Sequence, residues 1–107
     1  MKIAVTELGR AFGRQTRAYA EYRVFSTLAR FGDVIRELEV TLTPLAVGGS
    51  TTRCRVVVTL EGGDCLRVSA RGRHVYDAIN RAARRISDDV RRHTDVVSHS
   101  HDDMLER

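Results

Sequence analysis

The chain has 107 residues and a formal net charge of +4, and all but one (Lys2) of its 18 basic residues are arginine. That length suits one compact domain and excludes large catalytic scaffolds such as an α/β barrel, which needs about 250 residues. With 42% hydrophobic and 30% charged residues the chain can build a core beneath a solvated surface. The start, MKIAVTELGR, meets Glu7 and Arg10 before any apolar run of signal-peptide length, and no stretch approaches the roughly 20 apolar residues of a membrane span. Two cysteines are too few for a disulfide framework, so the expectation is a cytoplasmic protein.

In chain order, Ile3 and Val5 supply a short first strand. From 15 to 31, Ala18, Tyr22, Phe25, Leu28 and Ala29 recur at helical spacing and predict the buried stripe of a first helix. Arg23 and Arg30 then fall on the opposite face with Thr16, Tyr19 and Thr27, and Gly32-Asp33 supplies the stop. Leu38, Val40 and Leu42 alternate with polar residues as a half-buried strand. Cys54, Val56, Val58 and Leu60, then Leu66, Val68 and Ala70, read as two more strands. The loop around Gly48-Gly49 is flexible and is assigned no role.

Gly62-Gly63 marks a hairpin. A two-residue loop would set Leu60 opposite Cys65 and mix core with solvent positions, so a three-residue loop, Gly62-Gly63-Asp64, is expected. It pairs Leu60 with Leu66, Val58 with Val68 and Val56 with Ala70. Cys54 and Cys65 then lie on opposite faces, which excludes a disulfide between them. A second helix spans about 74 to 93, with Val75, Ile79, Ala82, Ala83, Ile86 and Val90 buried and Arg81, Arg84, Arg85, Arg91 and Arg92 on the other side. The expected fold is α+β: a single two-layer domain over 1–93, of order β-α-β-β-β-α, with a four-stranded sheet and two helices on one face. A polar, disordered tail is expected over 94–107.

Charge is more informative by segment than in total. Residues 10–31 hold five arginines and one acid, and residues 71–93 hold seven arginines and three acids, so each segment carries +4. The middle carries −1 and the tail −3. Arginine presents a planar fork that grips phosphate oxygens and stacks on bases, so Arg23, Arg30, Arg81, Arg84, Arg85, Arg91 and Arg92 are the candidate RNA-binding residues. Tyr19 is the candidate for stacking on a base. The bland alternative is a solvated arginine face whose acids, Asp77, Asp88 and Asp89, pair with neighbouring arginines at helical spacing. His93, His99 and His101 lie in a polar stretch without a closed ligand set, so no metal site is assigned. No nucleophile–base set or acid pair points to an enzyme, and no cofactor, small-molecule substrate or membrane partner is expected.

The element order resembles the ribosome hibernation promoting factor family, also called ribosome-associated inhibitors or sigma-factor modulation proteins. The strongest local match is Val75-Tyr76-Asp77-Ala78-Ile79-Asn80, similar to the family's Met/Leu-Tyr-Ala-Ala-Ile-Asp, followed by Arg81-Ala82-Ala83-Arg84-Arg85-Ile86. Arg17 to Phe31, Gly48-Gly49 and Arg53-Cys54-Arg55-Val56 resemble a divergent, arginine-rich branch. The likeness covers about residues 1–93. It departs at Thr6 to Arg14, which lacks the usual lead-in to the first helix, and at Asp88 and Asp89, where base is usual. The chain is too short for the C-terminal dimerisation domain of long members. The resemblance implies a translation inhibitor that occupies the small ribosomal subunit through ribosomal RNA. A general double-stranded RNA-binding module and a protein-interaction or stress-regulatory domain remain as alternatives.

Overall fold

The computed structural model describes residues 1–8, 12–45 and 51–105, with side chains described as far as residue 95. The elements are β1 (Lys2–Glu7), α1 (Arg14–Leu28), a 3₁₀ turn (Ala29–Phe31), β2 (Ile35–Pro44), β3 (Thr52–Leu60), β4 (Cys65–Gly72) and α2 (Val75–Leu105). They form an α+β fold of the expected order. The four strands make one sheet in the order β1-β2-β3-β4. Because α1 returns the chain across the sheet, β1 runs parallel to β2; the hairpin partners β2–β3 and β3–β4 are antiparallel. The Ala46 to Ser50 loop and residues 9–11 lie outside the described residues.

The alternation seen in the sequence sets the two faces of the sheet. Leu38, Val40, Leu42, Cys54, Val56, Val58, Leu60 and Ala70 are buried on one face. A bulge at Arg36 brings Ile35 onto that face as well, because one extra residue restores the phase. α2 lies over β3 and β4, while α1 lies over β1 and against α2, so one core joins both helices to the sheet. No helix among the described residues is long and apolar enough to cross a membrane.

The β3–β4 register differs from the expected one by two residues. Val58 pairs with Leu66, Val56 with Val68 and Cys54 with Ala70. Face-matching fixes a register only to an even number of residues, and the turn decides between the remaining choices. The loop is Glu61-Gly62-Gly63: the Leu60 amide donates to the Asp64 carbonyl at 2.8 Å, and the Gly63 amide donates to the Leu60 carbonyl at 2.9 Å. A three-residue hairpin needs a left-handed residue at its third position, and Gly63 sits there with φ +94°. The expected register would have put Asp64 in that position.

α1 is rotated from its expected phase. Its buried residues are Thr16, Ala20, Val24 and Leu28, whereas Tyr22 is 68% and Phe25 46% exposed, and Ala18 and Ala29 also face solvent. The helix is apolar on both sides, so hydrophobic spacing alone does not choose between the stripes. Packing does: the small and branched Ala20, Val24 and Leu28 fit against the layer below. The polar residues beside them find polar partners on α2. The second helix buries the expected Ile79, Ala82, Ala83, Ile86 and Val90, with Ala78 and Ser87 added and Val75 only half-buried. It does not end near residue 93 but continues through Leu105, since neither Gly nor Pro interrupts that stretch.

Cys54 is buried and Cys65 exposed, and both are free thiols. Burial pushes the Cys54 thiol from its usual 9.0 up to about 12. Between those values the unfolded chain releases the proton and the folded chain keeps it, so this residue's contribution to stability is complete below pH 9.0 and is lost towards about pH 12. Denaturation across that window, compared with Cys54→Ala, should show the wild type losing the extra stability, and a thiol reagent at neutral pH should label one cysteine of the native chain and two of the unfolded chain. Gly63→Ala should cost about 1–2 kcal/mol in urea denaturation, the price of a side chain in the left-handed region.

Candidate functional site

The helix arginines do not form one face. At about 100° per residue, Asn80, Arg84 and Arg91 fall on the side of α2 towards α1, and Arg81, Arg85 and Arg92 on the side towards β4. Each group meets a different neighbour.

On the α1 side, Asn80 is the centre of a polar clasp. Its Oδ1 accepts from the Tyr19 hydroxyl at 2.6 Å and from Arg23 Nε at 3.0 Å. Arg23 also donates to Thr27 Oγ1 at 2.7 Å. The Tyr19 ring meets Tyr76 edge-on with centroids 4.6 Å apart, and the His74 ring stacks on Tyr76 at 5.0 Å. The His74 Nδ1 accepts the Tyr76 amide at 3.2 Å, which satisfies a free donor at the start of α2. Tyr19 and Arg23, read from the sequence as solvent-facing, are therefore half-buried between the helices. Arg30 is exposed at the end of the first helical layer, with its guanidinium 4.8 Å from the centre of the Phe31 ring.

On the β4 side the arginines reach the sheet edge. Arg81 donates to the Arg71 carbonyl at 3.0 Å and Arg85 to the Ser69 carbonyl at 2.7 Å. The spacing matches: four residues of helix rise about 6 Å and two residues of strand about 6.6 Å. These bonds occupy carbonyls that an edge strand leaves unpaired, and they blunt the edge against another strand. Each guanidinium keeps its other N–H groups for a ligand.

Across that edge lies an open depression of about 520 Å³ lined by Arg53, Arg55, Ser69, Arg71, Arg81 and Arg85. Five of its six lining residues are arginines and none is acidic. Arg53, Arg55 and Arg71 project from the sheet face opposite the core, where strand alternation puts them. They were missing from the candidate set because segment charge ignores faces. The signal was present: Arg53 and Arg55, two apart on β3, share a face, as do Arg67 and Arg71, four apart on β4.

Further along α2 the positive charge is offset. Arg91 pairs with Asp88 at 3.3 Å and Arg92 with Asp89 at 2.5 Å, each three residues apart. Arg81, Arg84 and Arg85 make no ion pair among the described residues. His93 Nε2 lies 3.6 Å from Asp64 Oδ2 at the hairpin. No group of three or more His, Cys, Asp or Glu side chains converges among the described residues, and the side chains of His99 and His101 lie outside them.

A model of the family described as Sigma 54 modulation protein / S30EA ribosomal protein matches residues 10–98. The fold is similar to a ribosomal subunit interface protein from Coxiella burnetii, with a TM-score of 0.76 over 88% of this chain and 98% of that one, at 13% identity. It is also similar to the N-terminal domain of Thermus thermophilus Protein Y, with a TM-score of 0.71 over 86% of this chain and 98% of that one, at 28% identity. Among curated proteins none matches the sequence.

Replacing the shared acceptor of the clasp tests its structural role. Asn80→Ala should leave the Tyr19 hydroxyl and Arg23 Nε without partners and destabilise the fold by about 1–3 kcal/mol in urea denaturation. Arg84→Ala, one turn further along α2 and exposed, should change stability by less than about 0.5 kcal/mol.

Proposed function

The chain belongs to the Sigma 54 modulation protein / S30EA ribosomal protein family, and from that premise we propose that it is a cytoplasmic, ribosome-associated hibernation factor. It binds ribosomal RNA of the small subunit and inhibits translation by occupancy, with one protein per ribosome and no catalysis. The observation that carries this reading is the exposed trio Arg81, Arg84 and Arg85 on successive turns of α2, none offset by an acid among the described residues. A folded RNA presents phosphates in a fixed shape, and a rigid helix bearing guanidinium groups recognises that shape without reading bases.

The other candidate residues take unequal shares. Arg91 and Arg92 must give up Asp88 and Asp89 to meet a phosphate, so each adds less than a free arginine. Arg30 is exposed and contributes from the end of the first helical layer. Tyr19 and Arg23 serve indirectly, by holding α1 against α2 through Asn80; a base stacked on Tyr19 would have to displace Tyr76.

Co-sedimentation with purified small subunits tests this. The wild type should migrate with them at low salt, and Arg81→Glu/Arg84→Glu/Arg85→Glu should not. Three phosphate contacts predict a roughly 40-fold loss of affinity between about 50 and 200 mM salt. Failure of the wild type to co-migrate overturns the ribosomal reading. Equal competition by plain duplex RNA would replace it with general RNA binding. Retention by the triple variant would remove α2 from the interface.

A further inference from the structure

The depression at the β4 edge has a feature that fold stability does not explain. Arg53 and Arg71 are directly opposed across β3 and β4, and Arg55 is the next outward-facing residue on β3. Like charges in opposed positions destabilise a sheet. No acidic side chain lines the depression, and Arg53, Arg55 and Arg71 make no ion pair among the described residues. Glu39 lies further along the same face, against Arg55 and Arg67. The opposed pair Arg53 and Arg71 is therefore left without a compensating acid among the described residues.

That place is also organised. Arg81 and Arg85 approach from the helix layer, and each is held by a hydrogen bond to a β4 carbonyl. A guanidinium already fixed by one bond loses less freedom when it binds a ligand. From the other side, Arg53 and Arg71 flank the same depression, with Ser69 between the two groups. Five guanidinium groups with no carboxylate fit a ligand of linked phosphates. The depression, at about 520 Å³, has room for more than one phosphate.

We infer that the β4-edge depression is a polyphosphate site, which takes a run of linked phosphates between Arg53 and Arg71 on the sheet and Arg81 and Arg85 on the helix. The phosphates come from an RNA backbone or from a free phosphate chain, and the chemistry of capture is the same. Which RNA supplies them rests on the ribosomal reading above; that linked phosphates bind here does not. The RNA-contacting surface thereby extends from the helices around the sheet edge to residues that charge by segment had passed over.

Calorimetric titration of the purified chain with inorganic tripolyphosphate, and separately with a short single-stranded RNA, tests the assignment. The wild type should bind at least one of the two at low salt. Arg53→Gln/Arg71→Gln should weaken that binding by about tenfold or more. For RNA, it should also reduce the slope of log affinity against log salt by about 1.5. The same double variant should melt about 1–4 °C higher than the wild type, because an opposed like-charge pair has gone. Ser69→Glu provides a second route: it keeps every arginine, places a carboxylate among them and should abolish binding. Arg36→Gln, exposed on β2 and outside the depression, removes the same charge and should leave tripolyphosphate binding unchanged.

Tripolyphosphate binding lost in both depression variants supports a site open to free phosphate chains. RNA binding lost in both, with no tripolyphosphate bound by the wild type, supports a site for the nucleic-acid backbone alone. Wild-type binding that survives both variants overturns the proposal, as does binding of neither probe. Failure to co-sediment with small subunits, with tripolyphosphate binding intact, defeats the ribosomal reading and leaves this site standing.

Discussion

The close approach of α2 to the end of β4 governs the rest of the molecule. A Cβ on Gly72 would lie 2.6 Å from the Ala78 amide nitrogen and 2.8 Å from the Asp77 Cβ, so glycine alone fits where the strand passes under the helix. Ala78, Ala82 and Ala83, all fully buried, continue that close contact along α2. Small residues on both surfaces bring the helix near enough to the sheet edge for Arg81 and Arg85 to reach the β4 carbonyls. A bulkier interface would lift α2 away, and the same arginines would end in solvent. The basic depression is thus a consequence of alanine and glycine packing as much as of arginine content.

The opposite side of α2 solves a different problem. The helices meet through Tyr19, Arg23, Tyr76 and Asn80, a polar and aromatic clasp in place of a second greasy seam. The Val75 to Asn80 segment supplies α2's half of that clasp and part of the core. Tyr76 and Asn80 are spent on holding α1 to α2, and Ala78 and Ile79 on the core. The segment fixes where the helix arginines stand.

Legibility in the sequence followed the strength of the physical constraint. Strand faces were readable because apolar and polar residues alternate from Leu38 to Leu42 and, apart from Val57, from Cys54 to Leu60. The buried stripe of α2 was readable because its other side is charged. α1 has no such contrast: Tyr22 and Phe25 outweigh Ala20 and Val24 in bulk, yet it is the smaller pair that packs. Its phase is settled by tertiary packing of Ala20, Val24 and Leu28, with the acceptor on Asn80 beside them, a contact between residues 61 and 57 positions apart in the chain. The hairpin register turned on a local rule, the left-handed position of Gly63, which face-matching could not supply. For the candidate site, a middle segment of net −1 concealed Arg53 and Arg55, since its five acids outnumber its four arginines in the sum while none of those acids lines the depression that Arg53 and Arg55 share.

The near-exclusive use of arginine acquires a physical reason at the β4 edge. A lysine ammonium is a compact charge, and a donor directed at a carbonyl brings that charge with it to the backbone. A guanidinium spreads five donors over a planar fork, so one N–H can hold the carbonyl of Ser69 or Arg71 while others face outward. The same group therefore blunts a strand edge and still turns donors towards solvent. On the open face, Arg53 and Arg71 gain from the weaker hydration and delocalised charge of guanidinium, which soften the repulsion of an opposed pair. In a domain this small, the same side chains close an exposed strand edge and keep donors turned outward.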